Sequence, residues 1–400
     1  MSPILETAFP RPSESANELE HASARTRLVA IDALRGLVLL SMLVDHVRET
    51  FFLHHPIGDP VDYQTTPLGL YLTRMVTEPC APVFVFLTGL SAYLFSQTHS
   101  PGETSRFLLK RGLFLILLEF TLVDFAWSGE FPPQTLNLQV IWCIGVCMVV
   151  LAGLLRLPKA ALFTLATLII AGHNLLDGIT FATHDPLYLP WAILHQRAYI
   201  EFEHFPDVIT SYPLLPWIGV ILLGYVTGPL YAKKLDQRKR LTTLISSAAL
   251  LFIAFIVIRG LNIYGEQPWQ MTGDPILTFM SFKSATKYPP SLMFLLPSLA
   301  LTFALLAMAE IKCRSHLTRL LAVYGAAPMF FYLLHLYSLK VLYIVAVRIF
   351  GPSHGDYYGF EDLSSIWLCS TALAIALFYP TRWFARLKQR RRDIAWLKYF

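Results

Sequence analysis

The 400-residue chain is 55% hydrophobic and only 15% charged, with a mean hydropathy of +0.51. It is too apolar for a soluble globular protein and falls among polytopic membrane proteins. Its net charge of +5 is no nucleic-acid signal, because lysine and arginine follow the connections between apolar segments, and its cysteines show no metal or redox spacing.

Residues 1–24 are polar, with Pro, Ser and Glu and no apolar run, and are expected to form a disordered cytoplasmic tail. Ten apolar segments follow, at about 28–50, 79–98, 107–127, 136–155, 159–176, 212–232, 241–261, 290–310, 320–350 and 363–385. They predict an all-α, polytopic transmembrane helix bundle of about ten spans within a domain over 25–388, closed by a basic cytoplasmic tail over 389–400. Gly325 and Pro328 predict a tilt or break near the start of the ninth segment.

Basic residues orient the bundle, since they concentrate on the cytoplasmic side of a membrane. Placing the N-terminus inside puts clusters such as Arg106, Lys110 and Arg111, or Lys233 to Arg240, on the inner connections. Arg48, Arg74, Arg197, Arg259, Lys283, Lys287 and Arg348 are left for the outer ones. Both termini are therefore expected inside, in a multi-pass protein of the cell inner membrane.

The first span, RLVAIDALRGLVLLSMLVDHVRETFF, carries Asp32, Arg35, Asp45 and His46. Charges in a span are costly and face a protein interior or a wet cavity. At 100° per residue Arg35, Met42 and His46 share a face, with Asp32 nearby. The rise from Arg35 to His46 is roughly 16 Å. With the N-terminus inside, Asp32 and Arg35 are inner, and Asp45, His46 and Arg48 are outer.

Other segments add polar groups at the outer half or centre. The third brings Glu119 and Asp124, and the fifth ends in AGHNLLD with His173, Asn174 and Asp177. The sixth starts at YPLLPWIGVILLGY with Tyr212 and Trp217, and the ninth holds His335. Together they predict a polar cavity open outward, with the aromatic, proline-rich connection from about 177 to 211 as a lid or binding loop. His46 suits a general base or proton carrier, the alternative being a structural histidine bonded to Asp45 or to a backbone carbonyl. Asp32 and Arg35 either neutralise one another or free Arg35 to join Arg106, Lys110 and Arg111 in receiving phosphates. His335, His54 and His55 remain candidates for the same chemistry as His46.

These residues lie in stretches that resemble a known family. RLVAIDALRGLVLLSMLVDH, LTRMVTEPCAPVFVFLTGLSA, FLLKRGLFLILLEF, AGHNLLD, YPLLPWIGVILLGY and YGAAPMFFYLLHLY are similar to bacterial membrane proteins related to heparan-alpha-glucosaminide N-acetyltransferase, from about Arg27 to His335. The resemblance implies an acetyl-CoA-dependent membrane acyltransferase that moves acetyl from the cytosol to an amine or hydroxyl, a sugar for preference, on the far side. It assigns catalysis to His46, or to His55 or His54, and the reading of the residues adds Asp45 and His335. That same reading by depth sets His173, Asn174, Asp177, Tyr212, Trp217 and Glu119 toward the acceptor. In TEPCAP, Glu78 stands where many relatives place a histidine after the threonine, and a carboxylate there can also act as a base. Acetyl-CoA is then the co-substrate, held by Arg35, Arg106, Lys110 and Arg111, with no metal. The expected partners are membrane lipids and a small-molecule or glycan acceptor, with no nucleic acid; association into a homo-oligomer stays open. The competing reading is a proton-coupled transporter of a small solute or lipid-linked sugar, which buried histidines and acids suit equally.

Overall fold

The computed structural model describes the backbone of residues 14–232, 235–391 and 393–400, and side chains from Val29 onward apart from Ala395 and Lys398. Of the tail expected over 1–24, residues 1–13 lie outside the described residues, as do Lys233, Lys234 and Arg392. The chain is mostly helical. The first helix, α1, runs over Glu14–Phe51. It is followed by α2 (Leu68–Thr77), α3 (Cys80–Ser96) and α4 (Pro101–Leu118), which continues through a π turn (Glu119–Val123) into α5 (Asp124–Ser128). Next come α6 (Val140–Leu154), α7 (Lys159–Gly172), α8 (Tyr188–Leu194), α9 (Leu214–Thr227) and α10 (Gln237–Leu261). The last are α11 (Pro275–Lys283), α12 (Leu292–Ile311), α13 (His316–Gly325), α14 (Pro328–Phe350) and α15 (Leu363–Arg390).

Among the described residues, seven helical stretches are long and apolar enough to cross a membrane: Leu68–Ser96, Lys159–Leu176, Leu214–Tyr231, Gln237–Leu261, Leu292–Ile311, Pro328–Phe350 and Leu363–Arg390. The other three expected segments also form helices. The apolar part of α1 is interrupted by Asp32, Arg35 and Asp45, α4 is split by the π turn, and α6 is short. The expected break in the ninth segment falls between Gly325, the last residue of α13, and Pro328, the first of α14. Proline belongs there because the first turn of a helix has no intrahelical use for its missing N–H.

The helix α1 is central and packs against α3, α12, α13, α14 and α15. Its closest neighbour is α13. A Cβ placed on Gly36 would overlap the carbonyl of Leu321, and one on Gly325 would overlap the carbonyl of Asp32. The two backbones therefore touch, as small residues allow between membrane helices. Farther out, α10 and α12 are joined by Arg240, whose Nε donates to both Glu310 oxygens at 2.9 and 2.8 Å, with both side chains almost wholly buried.

The connections at the His46 end of α1 are ordered by a small sheet. Strands β1 (Thr135–Asn137), β2 (Tyr199–Ile200) and β3 (Asp207–Ile209) lie in the order β1-β3-β2, with β1 parallel and β2 antiparallel to β3. The ladder runs on as Leu138 N–H donates to Ile209 O (2.9 Å) and Tyr212 N–H to Leu138 O (3.1 Å). This pins Gln139 beside Ser211 and Tyr212. The 177–211 connection is thus built around α8, β2 and β3.

Candidate active site

The face of α1 that carries Arg35, Met42 and His46 lines two cavities, one toward each end of the helix. His46 faces a cavity of about 230 Å³ whose wall also includes Asp45, Glu49, Trp127, Tyr212, Lys287 and Tyr332. On α14, one helical turn puts Tyr332 and His335 on one side, so both reach this region. His46 Nδ1 lies 2.7 Å from His335 Nε2, both side chains being buried. The rings of Trp127 and Tyr332 meet His46 edge-on at 5.1 and 5.9 Å.

The hydrogen-bond partners fix where the protons sit. His335 Nδ1 is 2.8 Å from the carbonyl of Phe331. A carbonyl only accepts, so Nδ1 carries the proton, and a neutral His335 is left with an accepting Nε2. His46 must then donate from Nδ1. Its own Nε2 is left as an unprotonated lone pair on a ring that lines the cavity. That is the tautomer a general base requires.

Asp45 does not orient His46. Its carboxylate accepts from Arg48 Nε and Nη2 at 3.1 and 2.9 Å and from Arg74 Nη1 at 3.3 Å, and Lys287 Nζ lies 3.9 Å away. Glu49 takes a second bond from Arg48 at 3.0 Å. Arg48, Arg74 and Lys287 thus surround these two carboxylates, and Asp59 and Glu78 stand close to Arg74 and Lys287 in turn. Lys287 is held by a residue outside the helices: Asp59 accepts from the backbone N–H of Lys287 and of Tyr288, both at 2.8 Å. Burial pushes the Asp59 carboxyl above its ordinary range despite those two bonds.

The second cavity, about 380 Å³, lies toward the Arg35 end of α1, with Arg35, Arg111 and Lys388 in its wall. Arg35 donates to Asp32 at 2.7 Å and also bonds Ser91. Pairing with Asp32 and facing the cavity are therefore compatible. Among the described residues Asp32 is the one acidic side chain in this wall, set against three cationic ones. That excess of cationic side chains suits a negatively charged group. The two cavities share Met42, Phe84, Val140 and Tyr332, so they meet end to end along α1.

The remaining sequence candidates, Tyr212 apart, lie elsewhere. Arg106 and Lys110 are exposed on the far face of α4 and do not line the cavity that Arg111 enters. Glu119 is fully buried, and its Oε2 accepts from the backbone N–H of Trp142 at 2.8 Å. It fills the role of a cap for the first turn of α6, where N–H groups have no helical partner. Trp217 is buried behind Tyr212, ring centroids 5.5 Å apart, while Tyr212 reaches the cavity and bonds Tyr288 at 3.2 Å. His173 turns both ring nitrogens to backbone carbonyls, with Nε2 2.9 Å from Pro290 O, which marks it as a structural clamp. Asn174 and Asp177 line a separate, neighbouring cavity. His55 is exposed, and His54 stacks on His354 at 3.8 Å between centroids. Neither loop histidine lines the His46 cavity, and Glu78 does not either.

Sequence reasoning passed over Tyr332, Trp127, Lys287 and Lys388 as site residues. Tyr332 had a signal, standing three residues before His335 on the same helical face. Lys388 was hidden in a basic run whose evident meaning is topology.

With this geometry in hand, the comparisons can be placed. The catalytic family model of heparan-alpha-glucosaminide N-acetyltransferase matches residues 27–268. That stretch contains Arg35, Asp45, His46 and Arg111 and ends before Lys287, His335 and Lys388. No match was found among curated proteins.

Proposed function

We propose, from the premise that the chain belongs to the heparan-alpha-glucosaminide N-acetyltransferase catalytic family, that it is a membrane acetyltransferase that moves acetyl from acetyl-CoA to an amine or hydroxyl of a sugar. Donor and acceptor enter from opposite ends of α1. The donor side is the cytosol, and both termini lie there.

Arg35, Arg111 and Lys388 would hold the phosphates of coenzyme A, where charge-assisted bonds are strongest. The flexible arm follows α1 past Leu39 toward Met42, a path matched to the roughly 16 Å rise between Arg35 and His46. The thioester then sits at the junction beside Tyr332. The acceptor occupies the His46 cavity, and His46 Nε2 takes a proton from its amine or hydroxyl as that atom attacks the thioester carbonyl. The new C–N or C–O bond forms, the C–S bond breaks, and the proton passes from His46 to the departing thiolate. Holding both partners at one junction supplies the proximity on which direct transfer depends.

The observation that carries this reading is the His46–His335 hydrogen bond, whose direction leaves the His46 lone pair in a cavity that meets a basic one. A two-ended path with buried histidines would also serve a transporter, but the family match is to a transferase, and no observation favours transport. The test is acetyl transfer to glucosamine by the purified protein in lipid nanodiscs, with acetyl-CoA binding measured alongside. Transfer that His46→Ala abolishes while binding persists is expected; absence of acetyl-CoA binding in the folded protein would refute the proposal.

A further inference from the structure

The last helix, α15, ends in a basic run of which the second cavity uses only one member. Lys388 turns into that cavity, whereas Arg382, Arg386 and Arg390 line an open groove of about 490 Å³ together with Tyr379, Trp383 and Leu387. The helical period divides them. Arg386 and Lys388 point about 200° apart, while arginines at i, i+4 and i+8 stay within about 80° of one another. All three arginines are exposed, and none makes a side-chain hydrogen bond or ion pair among the described residues. The described lining of the groove holds no acid.

The same stripe continues along the helix in apolar form. Leu368, Ile375 and Tyr379 are exposed, and at 100° per residue they lie within about 20° of the direction of Arg386. Counted from Leu363, the axial rise is roughly 24 Å at Tyr379, 29 Å at Arg382 and 41 Å at Arg390. The hydrocarbon of a bilayer is about 30 Å thick, so the stripe turns from apolar to cationic where hydrocarbon gives way to headgroups. Trp383, 61% exposed, stands at that boundary, the depth at which an amphipathic indole is favoured. An apolar face alone would be met by any lipid chain. Three guanidiniums with no acid among them select a headgroup of net negative charge, since arginine holds phosphate through forked, charge-assisted bonds.

We propose that this groove binds one anionic phospholipid from the leaflet at the C-terminal end of α15, the cytoplasmic leaflet in the orientation proposed above. Its phosphate lies among Arg382, Arg386 and Arg390, its glycerol beside Trp383, and an acyl chain along Tyr379, Ile375 and Leu368. The site shares no lining residue with the two cavities along α1 and stands apart from the reaction proposed for them.

Trp383 supplies the readout. The full chain is reconstituted in phosphatidylcholine vesicles, and phosphatidylglycerol with brominated chains is titrated in, with brominated phosphatidylcholine as the comparison. Subtracting the signal of Trp383→Phe isolates this one of the eight tryptophans. Each arginine at an anionic surface gives about a fivefold change in binding, so quenching should show phosphatidylglycerol favoured tenfold or more. The triple variant Arg382→Gln, Arg386→Gln, Arg390→Gln should bring that ratio near one. A control variant, Arg238→Gln, Lys239→Gln, Arg314→Gln, removes the same charge from exposed positions elsewhere and should keep the ratio. All six side chains are exposed, so both variants should keep their fold. Equal binding of the two lipids by the unmodified protein would overturn the site. So would equal losses in the two triple variants, which would show general attraction to a basic surface. Quenching reversed by a tenfold excess of sn-glycerol 3-phosphate would overturn the lipid in favour of soluble phosphate esters.

Discussion

Removing the acceptor for His46 Nδ1 without touching His46 is a direct test of the proton arrangement. In His335→Phe the Nδ1–H loses its 2.7 Å partner inside a buried site. Leaving a buried donor unmet costs about 1–3 kcal/mol. The ring can avoid that cost by carrying its proton on Nε2, facing the cavity, which removes the base. At about 1.4 kcal/mol per factor of ten, the useful tautomer should fall roughly 5- to 150-fold, and kcat with it. His46→Ala, which deletes the base, should lose about 10² to 10⁴. His335→Gln is the informative partner, because an amide oxygen can stand where Nε2 stood and accept the same bond. The assay is single-turnover acetyl transfer with acetyl-CoA saturating, and donor affinity measured on each variant. Rank order wild type, Gln, Phe, Ala is expected, with donor affinity unchanged. Should His335→Gln match His335→Phe in a folded protein that binds the donor, the hydrogen bond does not set the tautomer and the reasoning fails.

Four other outcomes follow. Arg111→Gln and Lys388→Gln should each weaken acetyl-CoA binding by about 1–3 kcal/mol, whereas Arg106→Gln and Lys110→Gln should leave titrations unchanged; equal losses would contradict the cavity assignment. Glu310→Gln, which strands the buried Arg240, should lower stability by about 3–5 kcal/mol, and an Arg240→Met, Glu310→Leu pair should recover most of it in thermal unfolding. Burial pushes the Asp177 carboxyl up, but its bonds from His195 and Asn174 outweigh that and hold it below its ordinary value. Its contribution is therefore in place above the unfolded pKa of about 3.9 and lost as pH falls through the folded value, so Asp177→Asn should flatten the acid limb of an unfolding profile below about pH 4. Tags after Phe400 and near Gln237 should be cytoplasmic and one near Asp185 external; accessibility labelling that puts Phe400 outside would reverse the donor and acceptor ends.

The sequence was most informative where one helix carries the information. The 3.6-residue period alone sets Arg35, Met42 and His46 on one face of α1, and Gly325 with Pro328 marks the break before α14. It was least informative where partners come from distant segments. His46 and His335 are 289 residues apart, and no local pattern says that they bond. Glu119 has the appearance of a cavity acid because its partner is a backbone N–H of another helix, which no side-chain pattern reveals. In the cluster of Arg106, Lys110 and Arg111, the first two share a face at i, i+4 and the third is turned about 100° from Lys110. Composition shows three equivalent cations, and only packing shows which one faces inward.

The four residues common to both cavities also bear on what the protein must not do. The side chains of Met42, Phe84, Val140 and Tyr332, where the two cavities adjoin, are apolar except for one phenol hydroxyl, and a narrow passage between them would act as a waist. Hydrophobic constrictions of this kind resist wetting and so block ions. A passage that joins two aqueous compartments would otherwise short-circuit the membrane potential whenever no reactant filled it. On the proposed transfer, such a junction would let an uncharged thioester reach the far chamber while protons and salt are held back, so that group transfer need not dissipate the gradient across the bilayer.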